Sequence, residues 1–394
     1  MKILISDPMS QEGLEFLLQQ EGLEIVNKPG ISPEELIDEI KDADALIVRS
    51  KTKVTSNVIA AAEKLKVVGR AGAGVDNIDL AAATHRGIVV MNTPGGNSIS
   101  AGEHAFALLV SLARQIPFAH LSLSGGAWNK SAFTGRELYG KTMGILGLGK
   151  IGTVVAKRAL GFEMKVLAFD PFVSEAYAAD LGVELRALEE VLKNADCLSL
   201  HLPMNEKTKH LINRNTIELM KDGALIVNAA RGPLIDENDL LEAIQSGKLG
   251  GAALDVFENE PNVSENIRKS ERVILTPHIA GSTQEAQAKV GYAIAMQITD
   301  YLKNGVITNA VNFPSVTNKE QAELEPYIRL GEKLGGLAGA ISRIRVSEIG
   351  IRYYGDLSKI KYKPLSNYIL KAILSPILSE KINPINARAV AADR

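Results

Sequence analysis

Cysteine is almost missing from this chain. The single thiol, Cys197, excludes an intrachain disulfide and a cysteine-built zinc site. Its setting, Asp196-Cys-Leu-Ser-Leu-His201, reads as a buried strand rather than a reactive position. Such usage fits a reducing compartment, so the cytoplasm is expected. An excess of one charge is missing too. Forty-four basic residues against 46 acidic ones leave a net charge of −2, so neither a nucleic-acid nor an anionic-membrane partner is expected. No stretch approaches the roughly 20 apolar residues that cross a bilayer. The apolar start, Met1-Lys-Ile-Leu-Ile-Ser-Asp7, is too short to read as a signal peptide. The six histidines lack metal spacing such as HxxxH, so no metal is expected. His85, His104, His120, His201 and His210 fall in helical, strand-end or turn-like contexts and read as structural.

What is present is length and alternation. At about 150 residues per domain, 394 residues imply two or three domains. Short apolar runs alternate with helix-like stretches, which argues for α/β layers on parallel sheets. Strands are expected at Ile3-Leu-Ile, Glu24-Ile-Val, Ala45-Leu-Ile-Val48, Val67-Val68 and Ile88-Val-Val-Met91, with helices over 11–21 and 32–40. The turn-rich string Asn92-Thr-Pro-Gly-Gly-Asn97 reads as a boundary and hinge, followed by one helix over 98–116. A second series begins at Lys141-Thr-Met-Gly-Ile-Leu146. It continues at 165–169, 197–200, 224–227, 251–254 and 273–275, which describes a doubly wound sheet. A helix over 283–303 follows. The tail, 316–394, reads as helix over 326–341, strand over 345–354 and helix over 363–378.

The sharpest motif is Gly147-Leu-Gly149-Lys-Ile-Gly152, between a strand and a helix. Gly147 permits a tight turn, Gly149 close approach of a pyrophosphate, and Gly152 helix–strand packing, with the helix N-terminus facing the phosphates. About 20 residues on, Asp170 ends the next strand, where a carboxylate binds ribose hydroxyls and repels a 2′-phosphate. The expected cofactor is therefore NAD. Gly144-Ile-Leu-Gly-Leu-Gly149-Lys150 also mimics a P-loop, but Ile151 stands where Ser or Thr would hold Mg²⁺, and that reading fails.

Three charged residues follow successive strands of this second series: Arg231, Glu260 and His278. Oxidising a hydroxy acid needs a cation for the carboxylate, a base for the hydroxyl proton, and a partner for the charged base. A guanidinium fork, an imidazole and a carboxylate supply these.

Gly147-Leu-Gly-Lys-Ile-Gly152, Asn228-Ala-Ala-Arg-Gly232, Ala253-Leu-Asp-Val-Phe257 with Glu260-Pro261, and Thr276-Pro-His278 resemble the D-isomer-specific 2-hydroxyacid dehydrogenases. Val67-Val-Gly-Arg-Ala-Gly-Ala-Gly-Val-Asp-Asn77, Met91-Asn-Thr-Pro-Gly-Gly-Asn97 and Trp128 resemble most the members acting on D-3-phosphoglycerate. The likeness covers roughly 1–313. It implies a Rossmann-type NAD domain (98–282) inserted in a smaller flavodoxin-like α/β substrate domain (1–97 and 283–315), plus a C-terminal α+β extension (316–394). It further implies that Arg231 binds the substrate's carboxylate, that His278 is the acid/base, and that Glu260 is its partner. Cofactor contacts are implied at Gly147, Gly149, Lys150, Ile151, Gly152, Asp170, Pro203, Ala229, Ala230, Arg231, Asp255, His278 and Gly281. Substrate contacts are implied at Arg49, Arg70, Asn97 and Arg231. Where the family carries Thr at a cofactor-contacting position, this chain has Ala73.

The activity so implied is NAD-linked oxidation of D-3-phosphoglycerate to 3-phosphohydroxypyruvate, the first step of phosphorylated serine biosynthesis, in a homodimer or homotetramer. Another small 2-hydroxy acid, such as glyoxylate or hydroxypyruvate, is the first alternative. A non-catalytic NAD-sensing scaffold like the dehydrogenase-related corepressors is the second. The tail, through Pro364-Leu-Ser-Asn-Tyr-Ile-Leu-Lys-Ala-Ile-Leu-Ser-Pro-Ile-Leu378, resembles the start of the extra domain of long members. There an ACT-type regulatory domain follows, whereas this sequence is given to Arg394. Serine feedback stays open.

Overall fold

The computed structural model describes residues 1–316, 318–342, 346, 348–355 and 362–393. They form two compact units: Met1–Gly96 with Gln284–Arg394, and Asn97–Thr283.

In the first unit, β1 (Lys2–Ile5), β2 (Glu24–Asn27), β3 (Ala45–Val48), β4 (Val67–Arg70) and β5 (Val89–Met91) form a parallel sheet in the order β2-β1-β3-β4-β5. That is the flavodoxin-like order. The strands are nearly continuous aliphatic runs because both faces are covered. Ile3, Ile5, Ala45 and Val67 face the helix Gln284–Asn304, while Leu4, Leu46 and Val68 face a second cluster with Leu36 and Ile59. Gly69 is a glycine because a Cβ there would lie 2.8 Å from Ile294 and Ile298 of that helix.

In the second unit, β6 (Thr142–Leu146), β7 (Lys165–Phe169), β8 (Glu184–Leu185), β9 (Cys197–Leu200), β10 (Ala224–Asn228), β11 (Leu249–Leu254) and β12 (Val273–Leu275) pair in parallel. Their order is β12-β11-β10-β9-β6-β7-β8. The order reverses between β6 and β9, and all strands end on one edge. Ligands of doubly wound sheets bind at such a reversal.

Three expectations need correction. The single helix over 98–116 is two helices, Ser98–Ala113 and Ile116–Ser124, bent by 63°. Gln115 between them is left-handed (φ 55°). Pro117 lacks the N–H that would continue the first helix, yet fits the first turn of a new one. The strand β8 went unread because a two-residue edge strand carries no periodicity. In the tail, the α+β expectation gives way to helices: Asn318–Ile341, Lys363–Leu374 and Ala387–Ala392. Val346 and residues 348–354 form no strand, and Arg345 and Ser347 lie outside the described residues.

The first tail helix starts well before Pro326. Leu324 and Ile328 are both buried on one face, anchoring the helix across the proline. Gly331, Gly335 and Gly339 line one side, where a Cβ would meet Ile369 or Ile373 within 2.8 Å, so the helix Lys363–Leu374 packs directly on the backbone. The tail is also fastened to the sheet layer. Asn383 donates to the Gly87 carbonyl (2.7 Å), Asn386 to that of His85 (3.1 Å), and Ile385 joins the core. Among the described residues, no single helix is long and apolar enough to cross a membrane.

Candidate active site

The strand β6 runs into Gly147, whose φ of 96° and whose approach to the His201 carbonyl (2.7 Å from a Cβ) both require glycine. At Gly152 a Cβ would stand 2.0 Å from the Gly147 carbonyl oxygen, so this glycine lets the helix Lys150–Gly161 close on the turn. Gly149 differs. A Cβ there would meet nothing within 4 Å, and as N-cap it offers the first-turn N–H groups no side-chain acceptor. The protein has no steric need for glycine at 149, whereas a ligand's phosphates do.

Asp170 lies one residue past β7. Its Oδ2 accepts from the Leu148 N–H and its Oδ1 from the Phe172 N–H, both at 2.9 Å. An ionised carboxylate has about four acceptor sites, so two remain for ribose hydroxyls. A cleft of about 660 Å³ opens here, lined by Gly149, Lys150, Thr153, Phe172, Ser174 and Tyr177. Open glycine, helix N-terminus and carboxylate together fit a dinucleotide.

Arg231, Glu260 and His278 come off the C-terminal ends of β10, β11 and β12, three adjacent strands. Each loop is held by a buried polar residue. Asn228, 1% exposed at the end of β10, donates to the Arg231 carbonyl (2.8 Å) and accepts from the Ala230 N–H (3.1 Å). Gly232 then passes close to Phe257: a Cβ there would collide with the Phe257 carbonyl. Asp255, fully buried after β11, accepts from the Thr276 hydroxyl (2.6 Å) and from the N–H groups of Ile279 (2.9 Å) and Ala280 (2.8 Å). Its carbonyl accepts from the His278 N–H (2.8 Å). These bonds hold His278 in the left-handed conformation (φ 53°), uncommon for a residue with a side chain.

Thus positioned, His278 Nδ1 lies 2.7 Å from Glu260 Oε2, and Glu260 Oε1 accepts from the Phe257 N–H (3.0 Å). The side chains are 45% and 35% exposed, so a substrate can reach them. The hydrogen bond to Glu260 raises the His278 pKa above its ordinary value; burial opposes this, Asp255 assists, and the nearby Arg231 charge works against it. Burial disfavours the Glu260 carboxylate, but the bonds from His278 and Phe257 win and lower its pKa. Burial also disfavours charge on Asp255, and its four donors (His104, Thr276, Ile279 and Ala280) more than offset that. A carboxylate on Nδ1 fixes the tautomer that leaves the Nε2 lone pair available to accept a proton.

Of the remaining positions read from sequence, Lys150 and Ile151 open the helix after the turn, and Pro203 follows β9 with its carbonyl taken by the Thr208 hydroxyl (2.7 Å). Ala229 is partly exposed. Ala230 is 9% exposed, with its N–H donating to Asn228 and its carbonyl accepting from the Arg231 guanidinium (2.7 Å). Gly281 faces Asn97 within the second unit: a Cβ at 281 would lie 2.5 Å from Asn97 Nδ2. Arg49 and Arg70 belong to the first unit, at the C-terminal ends of the paired strands β3 and β4. Burial pushes the Cys197 thiol up to about 12, as an inert strand position requires. Asn228 is a functional residue that the motifs alone do not identify. Its signal was a polar residue closing the aliphatic strand Ala224-Leu-Ile-Val-Asn228. Size does not mark the site: a cavity of about 650 Å³ at the opposite edge, near Gly223, Leu249 and Arg272, has no histidine in its lining.

Residues 106–280 match the D-isomer specific 2-hydroxyacid dehydrogenase NAD binding domain, and residues 323–394 the D-3-phosphoglycerate dehydrogenase intervening domain. D-3-phosphoglycerate dehydrogenase of Archaeoglobus fulgidus is 45% identical over 395 residues, covering 100% of this chain and 75% of the relative. The Bacillus subtilis enzyme of that name is 42% identical over 393 residues, covering 100% and 74%. The structure of D-lactate dehydrogenase from Aquifex aeolicus, complexed with NAD and lactic acid, superposes with a TM-score of 0.68 at 30% identity, covering 80% of this chain and 100% of that one. The chain belongs to the D-isomer-specific 2-hydroxyacid dehydrogenases, a family of NAD-dependent oxidoreductases, and within it to the D-3-phosphoglycerate dehydrogenases.

Proposed function

We propose that the protein oxidises D-3-phosphoglycerate at C2 to 3-phosphohydroxypyruvate with NAD, the entry step of phosphorylated serine biosynthesis. The observation that carries this is the His278–Glu260 pair, 2.7 Å apart, with Arg231 within electrostatic reach at the same sheet edge. Identity of 45% and 42% along this whole chain to enzymes named for that substrate supports the choice of hydroxy acid.

NAD, when bound, supplies the hydride acceptor. Gly147, Gly149 and Gly152 with the backbone of Lys150 and Ile151 would hold its pyrophosphate, and Asp170 its ribose. Pro203, Ala229 and Ala230 would flank it. The Arg231 guanidinium holds the substrate's carboxylate and orients C2. His278 Nε2 takes the C2 hydroxyl proton as the carbonyl forms, and Glu260 stabilises the resulting imidazolium through Nδ1. Such acid–base help contributes roughly 10²–10⁴-fold. Arg49 and Arg70 are assigned to the substrate's phosphate. We place the reaction in the cytoplasm, in a homodimer or homotetramer, to be measured by light scattering.

The deciding assay follows NADH formation with D-3-phosphoglycerate against unphosphorylated D-glycerate. A strong preference for the phosphorylated acid is expected. Equal or better turnover of glycerate, or of hydroxypyruvate or glyoxylate in the reverse direction, would replace the substrate. No turnover of any of them would remove the reading.

A further inference from the structure

His210 read as a structural histidine from sequence, yet it touches both loops that carry the acid–base machinery. Its backbone is left-handed (φ 49°). Its N–H donates to the carbonyl of Pro233 (2.8 Å), two residues past Arg231, and its own carbonyl accepts from the Asn213 side chain (2.8 Å). Ile212 bridges Ile235 just beyond, so the segment is stitched along the Arg231 loop. The ring lies between the two loops. Its Nε2 lies 2.8 Å from Glu258 Oε1, two residues before Glu260, and its Nδ1 lies 3.6 Å from Asp236. Glu258 is held from behind as well, its N–H donating to Glu237 Oε1 (2.8 Å). The facing charges are therefore Asp236, Glu258 and, one step away, Glu237. The His210 and Glu258 side chains are partly buried, at 36% and 27% exposure, and among the described residues the buried Glu258 Oε1 has no hydrogen-bond partner, so the contact is an ion-pair approach.

We propose that His210 is a positioning residue, a strut that locks the loop bearing Arg231 to the loop bearing Glu260. The pair Glu260–His278 must hold its geometry within a fraction of an ångström, and a misplacement of about 1 Å from a remote change can cost roughly a hundredfold in rate. The loops already touch where Gly232 passes the Phe257 carbonyl. That contact sets their separation, and the His210–Glu258 pair sets their register. This deepens the acid–base reading above and rests on it.

The test compares wild type with His210→Asn, Glu258→Ala and the double variant. Asparagine tolerates the left-handed backbone, so the first change removes the ring without straining the chain. Each single variant is expected to lower kcat about 10- to 100-fold, with the KM for NAD within about twofold. The low-pH limb of kcat/KM should move to lower pH, because a misplaced Glu260 no longer raises the His278 pKa. The double variant should be no worse than the poorer single one, as for two ends of one interaction. Wild-type kcat with an unmoved limb overturns the strut. So does a loss of activity that tracks only a fall in Tm or in active-site titre while the limb stays in place. The measurements are made on whichever 2-hydroxy acid the wild type oxidises, so a wrong substrate assignment and a wrong strut give different results. A wild type that oxidises none overturns both.

Discussion

The C-terminal edges of the two sheets use the same device for different ends. After β1, Asp7 is 3% exposed, and its carboxylate accepts from the N–H groups of Arg49 (2.6 Å) and Thr52 (3.1 Å) and from the Thr52 hydroxyl (2.8 Å). After β11, buried Asp255 grips the turn after β12 in the same manner. In each sheet a buried aspartate at a strand end satisfies backbone N–H groups of a neighbouring loop. What the two edges present differs. The first unit offers the cations Arg49 and Arg70, while the second offers, beside the cation Arg231, a coupled proton acceptor and its carboxylate. The same anchoring device thus serves both edges, and what each edge does is set by the side chains mounted on it rather than by the fold.

That contrast can be broken most sharply at His278. His278→Ala is expected to lower kcat by roughly 10²–10⁴-fold while leaving NAD affinity, read by fluorescence titration, near wild type. Normal turnover would mean the second edge is no more chemical than the first. Next in size is the pair Asp255→Ala and Asp7→Ala. Each strands buried N–H groups worth about 1–3 kcal/mol apiece, so thermal denaturation should show both destabilised. Only Asp255→Ala should also cut kcat on the folded fraction, because only its loop carries the base. Arg70→Ala should raise the KM for D-3-phosphoglycerate by about 10- to 100-fold, the worth of a charge-assisted hydrogen bond. It should leave kcat/KM for unphosphorylated glycerate unchanged, and equal losses on both acids would deny the first edge its phosphate. The smallest effect is one of pH. His278 must be neutral to take a proton, so kcat/KM rises as pH climbs through its raised pKa. Glu260→Gln removes the main cause of that rise, and the limb should shift to lower pH. A limb that does not move would uncouple the dyad.

Much of the fold was legible because buried parallel strands are written as uninterrupted aliphatic runs. Ala45-Leu-Ile-Val48 and Ala224-Leu-Ile-Val-Asn228 are short, β-branched-rich runs of this kind, and both are strands. The glycine turn was legible for a similar reason: Gly147 and Gly152 answer separate steric demands of the chain, and Gly149 leaves room for a ligand. The break after Ala113 was harder, since the helix pattern runs on to Ile116, whereas Gln115 turns left-handed and Pro117 cannot continue the first helix. Glu184–Leu185 was beyond any periodicity. In the tail, β-branched and aromatic residues suggested a strand at 345–354. A strand, however, exists only where a neighbour supplies its ladder, and the described part of this stretch has none.

By itself the sequence determined the local steric and chemical options: where the backbone needs glycine, which runs bury both faces, and which side chains can carry a proton or bind a carboxylate. Tertiary structure alone decided how those options combine. Arg231, Glu260 and His278 lie as much as 47 positions apart along the chain, and only the lateral order of β10, β11 and β12 makes them neighbours. The same holds for Asp255 and His210. They reach loops distant in sequence, and such long-range pairing leaves no periodic trace, while the Asn228 side chain bonds within its own loop, to Ala230 and Arg231.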